Sequence, residues 1–454
     1  MRSILVARPI VWLAGFASSV LGCSAGAGSG TTGPTSNPGT GAGPSVTVTG
    51  TLVDNCSVPM PNMTVWIRGQ GTTLTDNSGS FVFDNVVPPY DIGYVAAPGT
   101  PQSLNVVRIF QGVTRTTVRL PFPEYGAVKA GDITGTLSGS DVLFPSPLPR
   151  ISQIFFTAPG DLGTSHQLVD AAYLIQPTWC GPPSESGTVF ALQWTPGSGG
   201  SIVYHGFGRL DNVTAQSDGL LPGQDIVMTS LTTGTLAGTT AVPSGYSMAS
   251  KTFGLAANLT TILPALQADN SKDPAFSFVA PNIPGTTLTL EVKATSGGRV
   301  TLGRQQGLSP GQSGISVPLR PAPGLDAPAA NATDLALATQ PFQWAPFGGG
   351  LHVLLVGLSV PSRSTQLTYE VLTAADSAQL VPPADLGVPF VPPVAAGTWR
   401  VTGFAGGSVN SLLDPNVVVR YSPGPDAYPL LPHDAAIGLP TAEAISEPRT
   451  FHTR

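Results

Sequence analysis

The chain of 454 residues carries 20 Lys and Arg against 26 Asp and Glu, a formal net charge of −6, and only 10% of its residues are charged. That length holds about two to four domains with ample apolar material for their cores, and basic residues so sparse and scattered exclude a phosphate-neutralising nucleic-acid surface. Its 54 Gly and 46 Pro are spread along the whole chain, which fits many turns between short strands better than one disordered tract. Arg2 and Arg8 then precede an apolar run from Ile10 to Leu21, too short to span a bilayer, which is the layout of a secretory signal peptide over residues 1–22.

The apolar run closes on Val20-Leu21-Gly22-Cys23. A small residue directly before a cysteine resembles the bacterial lipoprotein signal, in which that cysteine is acylated and begins the mature chain. The resemblance implies lipid attachment at Cys23 and a membrane partner held through the lipid. An ordinary cleaved signal with an incidental cysteine is the competing reading. Ser24, rather than Asp, follows the cysteine; by analogy with lipoprotein sorting this implies a bacterial cell-envelope protein anchored at the outer membrane. Residues 23–45 hold no apolar side chain larger than Ala apart from Pro and the cysteine, cannot bury a core, and read as a Gly/Ser/Thr/Pro tether of about 25 Å r.m.s..

From Val46 the pattern changes. Val46, Val48, Thr51 and Val53 favour a strand, Thr64-Val65-Trp66-Ile67 a second, and Ser80-Phe81-Val82-Phe83 alternates as a half-buried strand does. Pro59 and Pro61 break the first pair, and Thr75-Asp76-Asn77-Ser78-Gly79 supplies Asx side chains and a turn glycine. Gly50, Asp54, the run Thr75-Asp76-Asn77-Ser78-Gly79-Ser80-Phe81 and Val87-Pro88-Pro89-Tyr90 resemble the carboxypeptidase regulatory-like module, a transthyretin-like sandwich of the carbohydrate-binding-like class. The sequence departs from that pattern at Cys56-Ser57 and at Pro89, where the family has Gly. The resemblance covers residues 46–123 and implies a non-catalytic β-sandwich.

Three further segments follow: 124–228, 229–324 and 325–454. Asp132-Ile133-Thr134-Gly135-Thr136-Leu137 echoes Val48-Thr49-Gly50-Thr51-Leu52, and Gly234-Thr235-Leu236-Ala237-Gly238-Thr239 echoes both, at about one sandwich length. Gln193-Trp194-Thr195-Pro196 with its Gly-rich loop matches Gln343-Trp344-Ala345-Pro346 with its own. A Trp before such a loop resembles the core Trp of a fibronectin type III-like sandwich, which implies that fold for 325–454 with a Pro-rich C-terminal tail. The other reading of these Trp residues is an exposed platform for sugar rings. No segment keeps a helical period. The expected fold is all-β, several consecutive antiparallel β-sandwich modules behind a signal peptide and flexible tether.

Chemistry is hard to find. None of His166, His205, His352, His433 and His452 sits in a zinc-binding spacing, so no metal ligand is expected. Gly307-Leu308-Ser309-Pro310-Gly311 has the outline of a nucleophile elbow, but Pro310 lacks the N–H that such an elbow gives to the oxyanion. Asp76 and Asn77 read as turn residues, and Asp269, Lys272 and Asp273 as a solvated loop. Neither a catalytic residue nor a cofactor site is expected. Cys56 and Cys180 remain once Cys23 is acylated; in an exported protein they form a disulfide or stand as two buried thiols, and sequence leaves both open. The leading expectation is a non-catalytic envelope lipoprotein, structural, adhesive or ligand-binding, its partner a glycan or an envelope protein. The alternatives are an envelope-directed hydrolase of glycan or peptide, and a glycan-binding accessory module using Tyr90 or Tyr94.

Overall fold

The computed structural model describes residues 43–54, 56–96, 105–122, 128–139, 151–158, 164–168, 170–197, 202–256, 262–337, 339–359, 366–380, 395–416, 419–421, 432–434 and 442–453. The signal peptide, Cys23 and nearly all of the tether lie outside them. The described residues are strands and turns, with one four-residue helix, Val409–Leu412.

The first segment builds two sheets from seven strands: β1 (Val46–Val53), β2 (Thr64–Ile67), β3 (Gly71–Leu74), β4 (Ser80–Val86), β5 (Tyr90–Ala96), β6 (Asn105–Val113) and β7 (Thr117–Pro121). One sheet has the order β4-β1-β7, with β1 antiparallel to β4 and parallel to β7; the other runs β3-β2-β5-β6. Alternation places Val48, Leu52, Phe81, Phe83, Val118 and Leu120 inward from the first sheet, against Val65, Ile67, Ile92, Tyr94 and Phe110 from the second.

The Thr-Asp-Asn-Ser-Gly run closes this sandwich by local hydrogen bonding. Asp76 Oδ1 accepts from the Ser78 N–H at 2.8 Å, the Ser78 hydroxyl at 2.7 Å and the Ser80 N–H at 2.9 Å. These bonds, that of the Ser78 side chain foremost, hold its carboxyl below the usual range. Thr75 donates its hydroxyl to the Met60 carbonyl at 2.6 Å and accepts from the Met63 N–H at 2.9 Å. Gly79 has φ +70°, and a Cβ there would lie 2.6 Å from the Leu52 carbonyl oxygen and 3.0 Å from the Met60 nitrogen, both backbone atoms. Gly79→Ala is therefore expected to destabilise the protein by about 1–3 kcal/mol, measured by thermal unfolding, and an unchanged midpoint would show that the turn relaxes freely.

The Thr-Gly-Thr echoes occupy equivalent places. Strand Asp132–Ser138 pairs antiparallel with Ala172–Ile175 and parallel with Leu220–Leu221; Thr233–Ala241 pairs antiparallel with Ala275–Pro281 and parallel with Ile315–Pro318, as β1 does with β4 and β7. Each opening strand carries a glycine opposite an aromatic: Gly50 with Phe81, Gly135 with Tyr173, and Gly238 with Phe276. A Cβ at those glycines would meet the facing ring at 2.3, 3.0 and 2.7 Å, so glycine is what lets the ring lie across the strand. The first and third segments agree further. Val118-Arg119-Leu120-Pro121 beside β1 has its counterpart in Ile315-Ser316-Val317-Pro318, and Asp269-Asn270-Ser271 repeats the Asx turn, Asp269 Oδ1 accepting from the Ser271 N–H at 2.7 Å.

The segments are fused. β6 pairs in parallel with Gln366–Thr373 from Asn105↔Leu367 to Phe110↔Leu372. The sheet continues through Leu351–Ser359, Ala396–Ala405 and Ala442–Ile445, and the last of these pairs with Arg299–Leu308 of the third segment. Phe155, Phe190, Leu192, Tyr204 and Phe207 of the second segment share one apolar core with Leu236, Phe253, Phe276 and Leu290 of the third. Cys56 and Cys180 are joined by a disulfide, their Cα atoms 4.7 Å apart. Connections therefore run from first to last to third to second segment, and return to the first through a covalent bond.

Candidate functional site

The residues singled out from sequence do not converge. Among those whose side chains are described, His205 Nε2 lies 2.9 Å from the Thr195 hydroxyl, and His352 Nε2 accepts from the Phe347 N–H at 2.9 Å. His352 is buried beside Trp344, and that burial pushes its imidazole below the usual pKa, against the opposing pull of Asp376. His452 is exposed on the last strand. The side chains of His166 and His433 lie outside the described residues. No three His, Cys, Asp or Glu among the described residues group as metal ligands. Ser309 sits in a tight turn closed by the Gln312 N–H on its carbonyl, 3.3 Å.

Both tyrosines weighed as sugar platforms are in the core. Tyr90 is 5% exposed and donates to the Arg115 carbonyl at 2.5 Å; Tyr94 is fully buried and donates to that of Pro121 at 2.5 Å. Burial raises both phenols. Trp344 and Trp399 are buried too, so stacking through those two rings is closed, while Trp194 is partly buried against the core shared by the second and third segments.

Sequence reading missed two buried charges. Lys251 is 0% exposed, and its ammonium donates to the Ser271 hydroxyl at 2.9 Å and to the carbonyls of Asp273 and Ala275 at 2.6 and 3.2 Å, while pairing with Asp269 at 2.8 Å. The loop read as solvated is thus a cage for this cation. Arg108 on β6 meets Glu370 across the parallel seam at 2.5 and 3.0 Å, and also donates to the Tyr94 hydroxyl at 3.0 Å. Both cations are buried and serve the structure, although Asp269 stays 33% exposed beside Lys251.

A cleft of about 260 Å³ opens where the third segment meets the last. Arg304, Gln305, Ser316 and Arg320 line its polar parts, with Val317, Pro318 and Ala442 as apolar lining. Arg304 comes from Arg299–Leu308, and its Nε donates to Glu291 at 2.7 Å while Nη1 lies 3.5 Å from Glu443. Burial raises the pKa of Glu443, opposed by the Arg304 charge. Arg320 follows Ile315–Pro318 and reaches over to the last segment, its guanidinium carbon 6.0 Å from the centre of the Phe347 ring. A Cβ at Gly348, which has φ +59°, would collide with its Nη1, so this glycine forms the seat of the guanidinium.

No protein-family profile matches the chain, and neither does any curated protein. Among solved structures, the Bacillus anthracis TIE protein is similar at 11% identity and a TM-score of 0.16, over 61% of this chain and 51% of its own. The chain therefore spans about half the length of that protein. A streptococcal ancillary pilin is similar at 12% identity and a TM-score of 0.18, over 61% of this chain and 100% of its own. BcpA, the major pilin subunit of Bacillus cereus, is similar at 10% identity and a TM-score of 0.14, over 61% and 99%.

Proposed function

We propose that this chain is a non-catalytic scaffold of the bacterial cell envelope, acylated at Cys23, held at the outer membrane by that lipid and spaced from it by the tether. In this reading the four segments are β-sandwich modules, the first of the carboxypeptidase regulatory-like type and the last of the fibronectin type III-like type. They form one rigid body that engages a glycan or an envelope protein. The observation that carries the reading is the closed circuit of segments, with sheet hydrogen bonds, shared cores and a disulfide joining all four. Such a body resists being pulled apart, and its disulfide suits an oxidising compartment. The anchor is tested directly. Cys23→Ser is expected to abolish incorporation of a labelled fatty acid and to move the protein from membrane to soluble fractions; unchanged membrane association would refute the lipid anchor.

A further inference from the structure

We propose that the cleft between the third and last segments is a binding site for one uronic-acid residue of an acidic glycan, with Arg320 as the group that takes its carboxylate. Arg320 is exposed, and among the described residues it has no carboxylate partner; its guanidinium lies over Phe347 and beside Gly348. A guanidinium placed over a ring face leaves N–H donors for a carboxylate, whose two oxygens its fork matches. The seat is prepared on both sides, by Phe347 beneath and by Gly348, where any side chain would displace the guanidinium. Arg304 differs. Its charge is already shared by Glu291 and Glu443, so it walls the cleft and leaves Arg320 as the guanidinium open to a ligand carboxylate.

The remaining lining fits a sugar acid better than a simple anion. Gln305 and Ser316 offer an amide and a hydroxyl at the polar side, suited to ring hydroxyls, while Val317, Pro318 and Ala442 offer a small apolar face to ring C–H groups. The volume, about 260 Å³, falls just below the ~300–1,000 Å³ of drug-sized sites, so it admits a single ring and leaves the rest of a polymer outside. Ser316 and Arg320 both lie on the strand that runs parallel to Thr233–Ala241, or just past its end. The site therefore belongs to the rigid sheet framework and not to a loose loop.

This inference supplies the glycan of the proposed function, yet it stands apart from the lipid anchor, since the anchor is read by fractionation and the cleft by binding. The full chain, solubilised in detergent, is titrated by calorimetry with trigalacturonate, with its methyl ester and with maltotriose. Binding of trigalacturonate alone is expected, weakened at least about tenfold by Arg320→Ala and by methyl esterification, and weakened by salt. Arg320→Gln, which keeps a planar group over Phe347 while removing the charge, is expected to show the same loss with an unchanged unfolding midpoint. Absence of binding by the unmodified protein, equal binding of maltotriose, or full affinity in Arg320→Gln would overturn the proposal.

Discussion

Glu370→Ala is expected to lower the stability of the folded body by about 3–5 kcal/mol, because it leaves the Arg108 guanidinium buried without its carboxylate. The side chains of Arg108 and Glu370 are 1% and 6% exposed, and they bridge the seam where β6 lies parallel to Gln366–Thr373. Around them the Tyr94 hydroxyl and the Pro121 carbonyl accept from Arg108 at 3.0 and 3.3 Å, so the arginine cannot swing to water without breaking the first segment's core. Among the described residues Glu370 Oε1 has no hydrogen-bond partner, so the pair is imperfect as a source of stability alone. Its value lies in register. A slip of one residue along the seam would turn Arg108 to the other face and expose the apolar neighbours Val107 and Ile109 to the wrong side. Replacing both partners, Arg108→Met with Glu370→Leu, is accordingly expected to recover most of the loss. Thermal unfolding of the parent and these two variants decides the matter: a single Glu370→Ala within about 1 kcal/mol of the parent would mean that water reaches the site.

How much of this was written in the sequence varies with distance along the chain. The strands of the first segment and the turn at Asp76 are local, fixed by alternation and by Asx chemistry within five residues, and they stand where the pattern put them. The Thr-Gly-Thr echoes were visible, but their meaning was not. The pairing with Phe81 and Tyr173 shows why glycine recurs at Gly50 and Gly135, whereas in the third segment the ring-facing glycine is Gly238, past the Thr233-Gly234-Thr235 echo. The similarity of Asp269-Asn270-Ser271 to Asp76-Asn77-Ser78 was equally present and passed over, because an inserted Lys272-Asp273 blurs the spacing to Phe276. Lys251 left one trace, a charge in phase with Phe253 and Leu255 on the inward face of its strand. The Arg108 partner left none, being 262 positions away, and the cleft assembles residues from 304 to 442 through the fusion of two segments. Contacts made by sheet continuity between distant segments have no period to betray them.

Removing the disulfide, by Cys56→Ser or Cys180→Ser, is expected to cost up to about 4–5 kcal/mol in the chain-entropy picture, since the bond closes a loop across a sequence separation of 124. The loss acts through the unfolded chain, which regains the freedom that the cross-link denies it. In the folded protein the consequence is more local. The first segment is held to the last by the β6 seam and the Arg108 pin, and is cross-linked to the second, beyond the continuity of the chain, by the Cys56–Cys180 disulfide. With the seam intact, the cysteine variants should keep the fold and unfold earlier, in a single transition. With Glu370→Ala added, both fastenings fail together. The first segment should then separate before the rest, seen as a second, earlier unfolding step and as protease cleavage within residues 46–122 at protease levels that leave the parent whole. Thiol titration of the denatured, unreduced Cys23→Ser protein provides the prior check, with no reactive thiol expected. Two free thiols per chain would remove the disulfide from the circuit and leave the first segment held by its seam and shared core with the last segment.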